Sequence, residues 1–135
     1  MRRAPVYSLS ALSLTFLHTY LEEEYPDIIR GVKSWGLFHS ALSYPDHAVF
    51  GFERYTTVVE KAAAYLYAIT NFHPFNDGNK RTAFFAMLYH LGRNGWHYEV
   101  SVDRDYRMMV DIAEDKEWDS ESVRRLAFRI KGRIH

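Results

Sequence analysis

His73-Pro74-Phe75-Asn76-Asp77-Gly78-Asn79-Lys80-Arg81 gathers an imidazole, a carboxylate, a glycine and two cations into one short run. Moving a phosphate-containing group from a nucleotide to a hydroxyl calls for backbone donors and fixed positive charge, usually a magnesium ion, and a base for the hydroxyl proton. This run offers a residue for each. Gly78 can adopt a backbone conformation closed to other residues, and the N–H groups after it open a helix whose positive dipole end favours an anion. Lys80 and Arg81 stand in the first turn of that helix, where cations are unfavourable unless something negative binds beside them. Arg81 can grip two oxygens with its planar fork, and Lys80 adds a movable point charge. Asp77 suits magnesium, which takes one or two protein carboxylates and completes its shell with phosphates and water. His73, with an unperturbed pKa of about 6.5, can serve as general base in its neutral form. Phe75 is expected to point inward and pin the loop, with Pro74 stiffening the turn. Taken singly, His73 reads as a structural residue, Asp77-Gly78 as a turn and Lys80-Arg81 as a solvated face; their fixed spacing carries the functional reading.

Two apolar helices must hold this loop. Residues 56 to 70 read as a central helix, with Ala62-Ala63-Ala64 and apolar positions at Val59, Leu66, Tyr67 and Ile69 around much of its circumference. A second apolar helix spans 79 to 93 and stops at Asn94-Gly95. Upstream, Leu9, Leu12, Phe16, Leu17 and Leu21 recur at helical spacing, followed by Glu22-Glu23-Glu24 and the break at Pro26. Ser34 caps a short helix through Leu42 that Pro45 ends. Residues 45 to 55 read as a loop or irregular hairpin that could lie over a site. Residues 96 to 102 alternate as a short extended piece, 103 to 114 form a further helix, and 120 to 134 a last amphipathic one. The expectation is one all-α domain over residues 1 to 135, with about six helices and little strand.

Bulk properties narrow the function classes. Seventeen basic side chains balance seventeen acidic ones, so no global field favours nucleic acid or an anionic membrane. There are no cysteines, which removes thiol chemistry and fits a reducing, cytoplasmic compartment. No apolar run approaches a membrane span, and Met1-Arg2-Arg3-Ala4-Pro5 lacks the apolar region of a secretory signal. His18, His39, His47, His90, His97 and His135 show no metal-ligand spacing and are assigned no site. Asp111, Glu114, Asp115 and Glu117 read as a solvated acidic patch, and the ten tyrosines as core and boundary residues.

The nine-residue run resembles the Fic/Doc signature: His-Pro-Phe, any residue, an acidic residue, Gly-Asn, then Gly or Lys, then Arg. The likeness extends to Thr82-Ala83, to Glu60-Lys61-Ala62-Ala63-Ala64, and to Gly36-Leu37, Ser40-Ala41-Leu42 and Pro45, a pattern similar to the death-on-curing (Doc) branch. It covers roughly residues 8 to 130. It implies a Fic fold in which His73 deprotonates a target hydroxyl, Asp77 holds Mg2+, and Gly78, Asn79, Lys80 and Arg81 bind the phosphates of ATP or another nucleoside triphosphate. Most Fic enzymes carry a second Gly after the Asn and transfer a nucleotidyl group (AMPylation); Lys80 stands there as in the Doc branch, whose toxins phosphorylate elongation factor Tu. The resemblance therefore implies a toxin kinase that transfers a γ-phosphate to a Ser or Thr hydroxyl of a target protein. A Fic-type adenylyltransferase and a catalytically silent nucleotide- or partner-binding module remain the alternatives. Gly78 stands where a phage Doc toxin has Ala, so the loop combines features of both branches. Residues 45 to 55 fall where the family has a flap that aligns the target peptide. The family's inhibitory pattern of Ser or Thr, three residues, Glu and Gly or Asn is not matched, since Thr56 and Glu60 are followed by Lys61; inhibition is expected from a separate antitoxin protein.

Overall fold

The computed structural model describes residues 5 to 135, so the expectation placed on the first four residues lies outside it. Six helices follow in order: α1 (Ala11–Glu24), α2 (Trp35–Ser43), α3 (Val58–Phe72), α4 (Asn79–Arg93), α5 (Val102–Glu114) and α6 (Ser120–Lys131). A 3-10 turn (Tyr44–Asp46) and a hairpin of β1 (Ala48–Val49) and β2 (Phe52–Glu53) lie between α2 and α3. The all-α architecture expected from periodicity is therefore what forms. No helix among the described residues is long and apolar enough to cross a membrane.

Helix α3 is the axis. Its residues from Lys61 through Thr70 are all buried, and it packs chiefly against α4, α6 and α2. Ala62, Ala63, Ala64 and Ala68 have no exposed surface; their small side chains let the neighbouring backbones approach on several sides, while Tyr65, Leu66 and Ile69 fill the remaining volume. Thr57 caps the helix by accepting from the Glu60 N–H at 3.1 Å.

The start of α1 differs from its apolar reading. Leu12 and Phe16 are 80% and 68% exposed, and the buried face consists of Leu14, His18, Leu21 and Glu22. Two polar residues thus sit where periodicity placed an apolar stripe, because this face supports a loop rather than a dry core. The acidic run does not end α1 but completes it. Ser34 caps α2 by accepting from the Leu37 N–H at 3.1 Å, as its position predicted. The extended piece at 96 to 102 finds a partner in the chain's last residues, with Tyr98 bridged to Ile134.

The expected hairpin is present, with Ala48 opposite Glu53 and Val49 opposite Phe52. Phe50 and Gly51, with φ of 52° and 80°, form a turn of the handedness that two-residue hairpins prefer. Lys61, only 3% exposed, anchors the base of this flap by donating to the Pro45 carbonyl at 3.2 Å and to Asp46 Oδ1 at 2.7 Å. Its ammonium also lies 3.4 Å from Glu53 Oε1. A Lys61→Met substitution keeps the stem but leaves the Pro45 carbonyl unpartnered. It should lower stability by about 1–3 kcal/mol and raise amide hydrogen exchange across residues 44 to 55; unchanged exchange there would show that the flap is held by something else.

Candidate active site

The loop between α3 and α4 is shaped by its own backbone. His73 ends α3 in the left-handed region (φ 53°, ψ 57°), and Gly78 caps α4 with φ 73°. Gly78 is the one residue of the pair that adopts this conformation without steric cost, and a Cβ there would also meet Ile28 Cδ1 at 3.3 Å. Between them the Asn79 side chain closes the turn: its Oδ1 accepts from the Phe75 N–H, and its Nδ2 donates to the Phe75 carbonyl, both at 3.0 Å. The Asn79 carboxamide thus faces the loop, and what Asn79 turns toward the helix mouth is its backbone N–H.

Phe75 is buried as expected. Its ring stacks on His18 with centroids 3.8 Å apart and planes 7° from parallel, and meets Phe38 edge-on at 5.9 Å. His18 Nε2–H donates to the Asp77 carbonyl at 2.9 Å, while its Nδ1 lies 3.7 Å from Glu22 Oε2. The segment between α1 and α2 grips the loop from outside. Lys33 and Ser34 N–H groups donate to the Pro74 carbonyl at 2.8 and 3.2 Å, and the Asn76 N–H donates to the Gly31 carbonyl at 3.0 Å. Asn76 Nδ2 donates to the Arg30 carbonyl at 2.8 Å, and Glu22 Oε2 accepts from the Gly31 N–H at 2.6 Å.

This scaffold leaves the start of α4 open. Gly78 provides no side-chain cap and the first turn has no acidic residue. The Gly78 N–H donates to Asp77 Oδ1 at 2.8 Å, whereas the N–H groups of Asn79, Lys80 and Arg81 find no acceptor among the described residues. Three aligned donors, the helix dipole and two exposed cations therefore converge on one spot, an arrangement suited to a phosphate. Arg81 lies over the Tyr25 ring, 4.3 Å from guanidinium carbon to centroid, which restricts a long side chain before any ligand arrives.

The helix mouth opens into a cleft of about 990 Å³. All six residues singled out in the sequence (His73, Asp77, Gly78, Asn79, Lys80 and Arg81) line it. Apolar lining comes from Phe84 and Phe85, further along α4, and from Val100, Val102, Tyr106 and Met109. A cleft of this size with both polar and apolar lining fits a nucleotide's phosphates and base.

His73 is exposed, and neither ring nitrogen has a hydrogen-bond partner among the described residues. Partial burial of the ring, then the positive charges of Lys116, Lys33 and Lys80, hold its pKa below the ordinary 6.5, so the imidazole is neutral at neutral pH and can accept a proton. Asp77 Oδ2 accepts from the Ile29 N–H at 3.1 Å. That bond, then the one from Gly78, and further the Arg81 charge, keep the Asp77 carboxyl below the usual carboxylate range. It is thus ionised, with lone pairs remaining on each oxygen, which fits a magnesium ion bound by one carboxylate and by phosphates.

Sequence reasoning passed over His18, Tyr25 and the bracket at residues 28 to 34. His18 had a detectable signal, since it lies four residues from Leu14 on a face that is otherwise buried. Its spacing to the other histidines suggests no site, and the structure makes it the buttress beneath Phe75 and Asp77. Tyr25 and the bracket carry no periodic signal, because their contacts are to residues 40 to 56 positions away.

Comparison with known proteins identifies the family. Residues 8–91 match the model of the Fic/DOC family. The chain is also 34% identical over 94 residues to Toxin Doc of Mycolicibacterium smegmatis (strain ATCC 700084 / mc(2)155), an alignment covering 68% of this chain and 72% of that protein. With the signature loop, the helical fold and both matches in agreement, the chain belongs to the Fic/DOC family, on its Doc-like side.

Proposed function

We propose that this protein is a Doc-like toxin that transfers the γ-phosphate of a nucleoside triphosphate to a Ser or Thr hydroxyl of a target protein. The observation that carries the reading is the pairing of an unpartnered, neutral His73 with the open, cationic start of α4 across one cleft. In this reading the N–H groups of Asn79, Lys80 and Arg81, with the Lys80 and Arg81 side chains, hold the phosphates. Gly78 and the Asn79 carboxamide keep those donors aligned. Asp77 would hold Mg2+, which when bound supplies charge neutralisation at the phosphates.

The target hydroxyl gives its proton to a His73 ring nitrogen as its oxygen bonds to the γ-phosphorus. The bond from that phosphorus to the β–γ bridging oxygen breaks, and a nucleoside diphosphate leaves. Burial and then the cations around His73 depress its basicity; an anion seated among those cations opposes their field, so the base strengthens when nucleotide is present. Lys80, where nucleotidyl-transferring relatives of this signature carry Gly, favours γ-phosphate transfer by adding bulk and charge at the phosphate cradle. The flap serves the protein substrate: its tip presents Phe50 and Phe52, 96% and 78% exposed, and Tyr44 at its base packs against Phe72, the neighbour of His73, with ring centroids 6.1 Å apart. The similarity to Toxin Doc supports the toxin role and a separate antitoxin as inhibitor, with elongation factor Tu as the first target to assay.

Incubation with cell extract and ATP labelled at the α or the γ phosphate tests the reaction. Label from the γ position is expected on a protein, with loss of roughly 100-fold or more in His73→Ala; transfer of α label would instead establish adenylyl transfer. Retention of both labelling and growth arrest by His73→Ala would leave a silent binding module. A second measurement follows the His73 ring signals by NMR against pH in nucleotide-free protein. Because burial and, after it, surrounding cations lower this pKa, the imidazole should lose its proton at a midpoint below 6.5. Lys116→Gln removes one opposing charge and should move that midpoint upward; a midpoint at or above the ordinary value, unmoved by the substitution, would contradict the electrostatics described.

A further inference from the structure

Outside the cleft, the segment holding His97 and Glu99 pairs antiparallel with the last residues of the chain. His97 and His135 exchange both backbone hydrogen bonds, at 2.8 and 2.9 Å, and the Glu99 N–H donates to the Arg133 carbonyl at 2.8 Å. Residues paired in this way stand directly opposite each other with side chains on the same face, and Glu99, two positions on from His97, shares that face. Tyr98 points the other way. It is 4% exposed, and its hydroxyl donates to Asp105 Oδ1 at 2.8 Å, which fixes the strand's orientation and leaves the neighbouring side chains outside.

The three side chains converge. Glu99 Oε1 lies 3.2 Å from His135 Nδ1 and 4.0 Å from His97 Nε2, and the three ligand atoms all fall within 4.8 Å of one another. A tetrahedral zinc ion with bonds of about 2.0–2.1 Å sets its ligand atoms roughly 3.3 Å apart. One separation already matches; the other two must shorten, and all three side chains are exposed, which leaves them free to rotate. Two imidazole nitrogens and one carboxylate oxygen are the donors that zinc and neighbouring late transition metals prefer, with the fourth position left to water. Magnesium prefers oxygen donors alone, so this donor set and Asp77 select different ions.

We propose that His97, Glu99 and His135 form a surface site for a divalent transition-metal ion of the zinc type. Sequence spacing concealed it, since His97 and His135 are far apart in the chain and only the backbone ladder brings them together. A bound ion fastens the chain's last residues to the segment that continues into Val100 and Val102 on the cleft wall, so it raises the melting temperature.

The test uses the full chain, untagged and stripped of metal. Calorimetric titration with Zn2+ and visible absorption with Co2+ should show one saturable ion per chain at micromolar concentration and a rise in Tm. His97→Ala and His135→Ala should each weaken binding by roughly 10- to 100-fold or more, since losing a group that merely orients a metal ligand already costs that much, whereas Asp77→Asn should leave it unchanged. In the wild-type protein, Zn2+ should shift the ring NMR signals of His97 and His135 and not those of His73, a readout that needs no variant to fold. The proposal is overturned by the absence of saturable binding below millimolar Zn2+, by binding that survives the double substitution of His97 and His135, or by binding that Asp77→Asn abolishes.

Discussion

Two hydrogen bonds between the Asn79 side chain and the backbone of Phe75 are the constraint on which the rest of the site depends. A carboxamide carries a donor and an acceptor at the spacing of a peptide group, so it can satisfy both the N–H and the carbonyl of one residue as a neighbouring strand would. With Phe75 held in this way, the chain reverses through Gly78 and enters α4 without spending a side chain on its cap. The donors that a Ser or Asp at the N-cap would have consumed remain unpaired, and the cleft opens onto them.

Strain is placed where the chemistry is read. Among the described residues, Phe50 and His73 are the two non-glycine residues with positive φ, one at the tip of the flap and the other at the candidate base. A side chain in the left-handed region costs about 1–2 kcal/mol, and such costs persist where surrounding structure over-determines the backbone. At His73 that structure is visible: α3 is buried up to its last turn, and Pro74 is held through its carbonyl by Lys33 and Ser34. The imidazole is thereby turned out of the helix into the cleft, instead of continuing along α3 toward the core.

Charge is arranged with the same economy. Lys80 and Arg81 occupy the end of a helix that repels cations, an unfavourable placement that an anion relieves. Partial burial, and then the charges of Lys116, Lys33 and Lys80, keep His73 deprotonated, while backbone donors and Arg81 keep Asp77 ionised. Burial with nearby cations thus holds a base neutral, and backbone donors with Arg81 hold an acid charged, states suited to proton abstraction beside a bound anion.

Much of this was legible in order along the chain. The span of α4, the Ser34 cap, the central burial of α3 and the chemical character of residues 73 to 81 follow from local periodicity, capping and turn chemistry, which act over a few residues. The burial of Phe75 follows too, since a large aromatic between Pro and Asn in a loop needs a core to enter. What the chain order left undecided was which distant groups meet: His18 beneath Phe75, Glu22 and the 28 to 34 bracket around the loop, Tyr25 under Arg81, and His135 beside His97. Even the inner face of α1 was misread, because Leu12 and Phe16 fit an apolar stripe while His18 and Glu22 take the buried positions. Periodicity records how a segment faces its surroundings, not what those surroundings are; hydrogen bonds between segments tens of residues apart exist only once the helices have packed, so tertiary structure alone settled them.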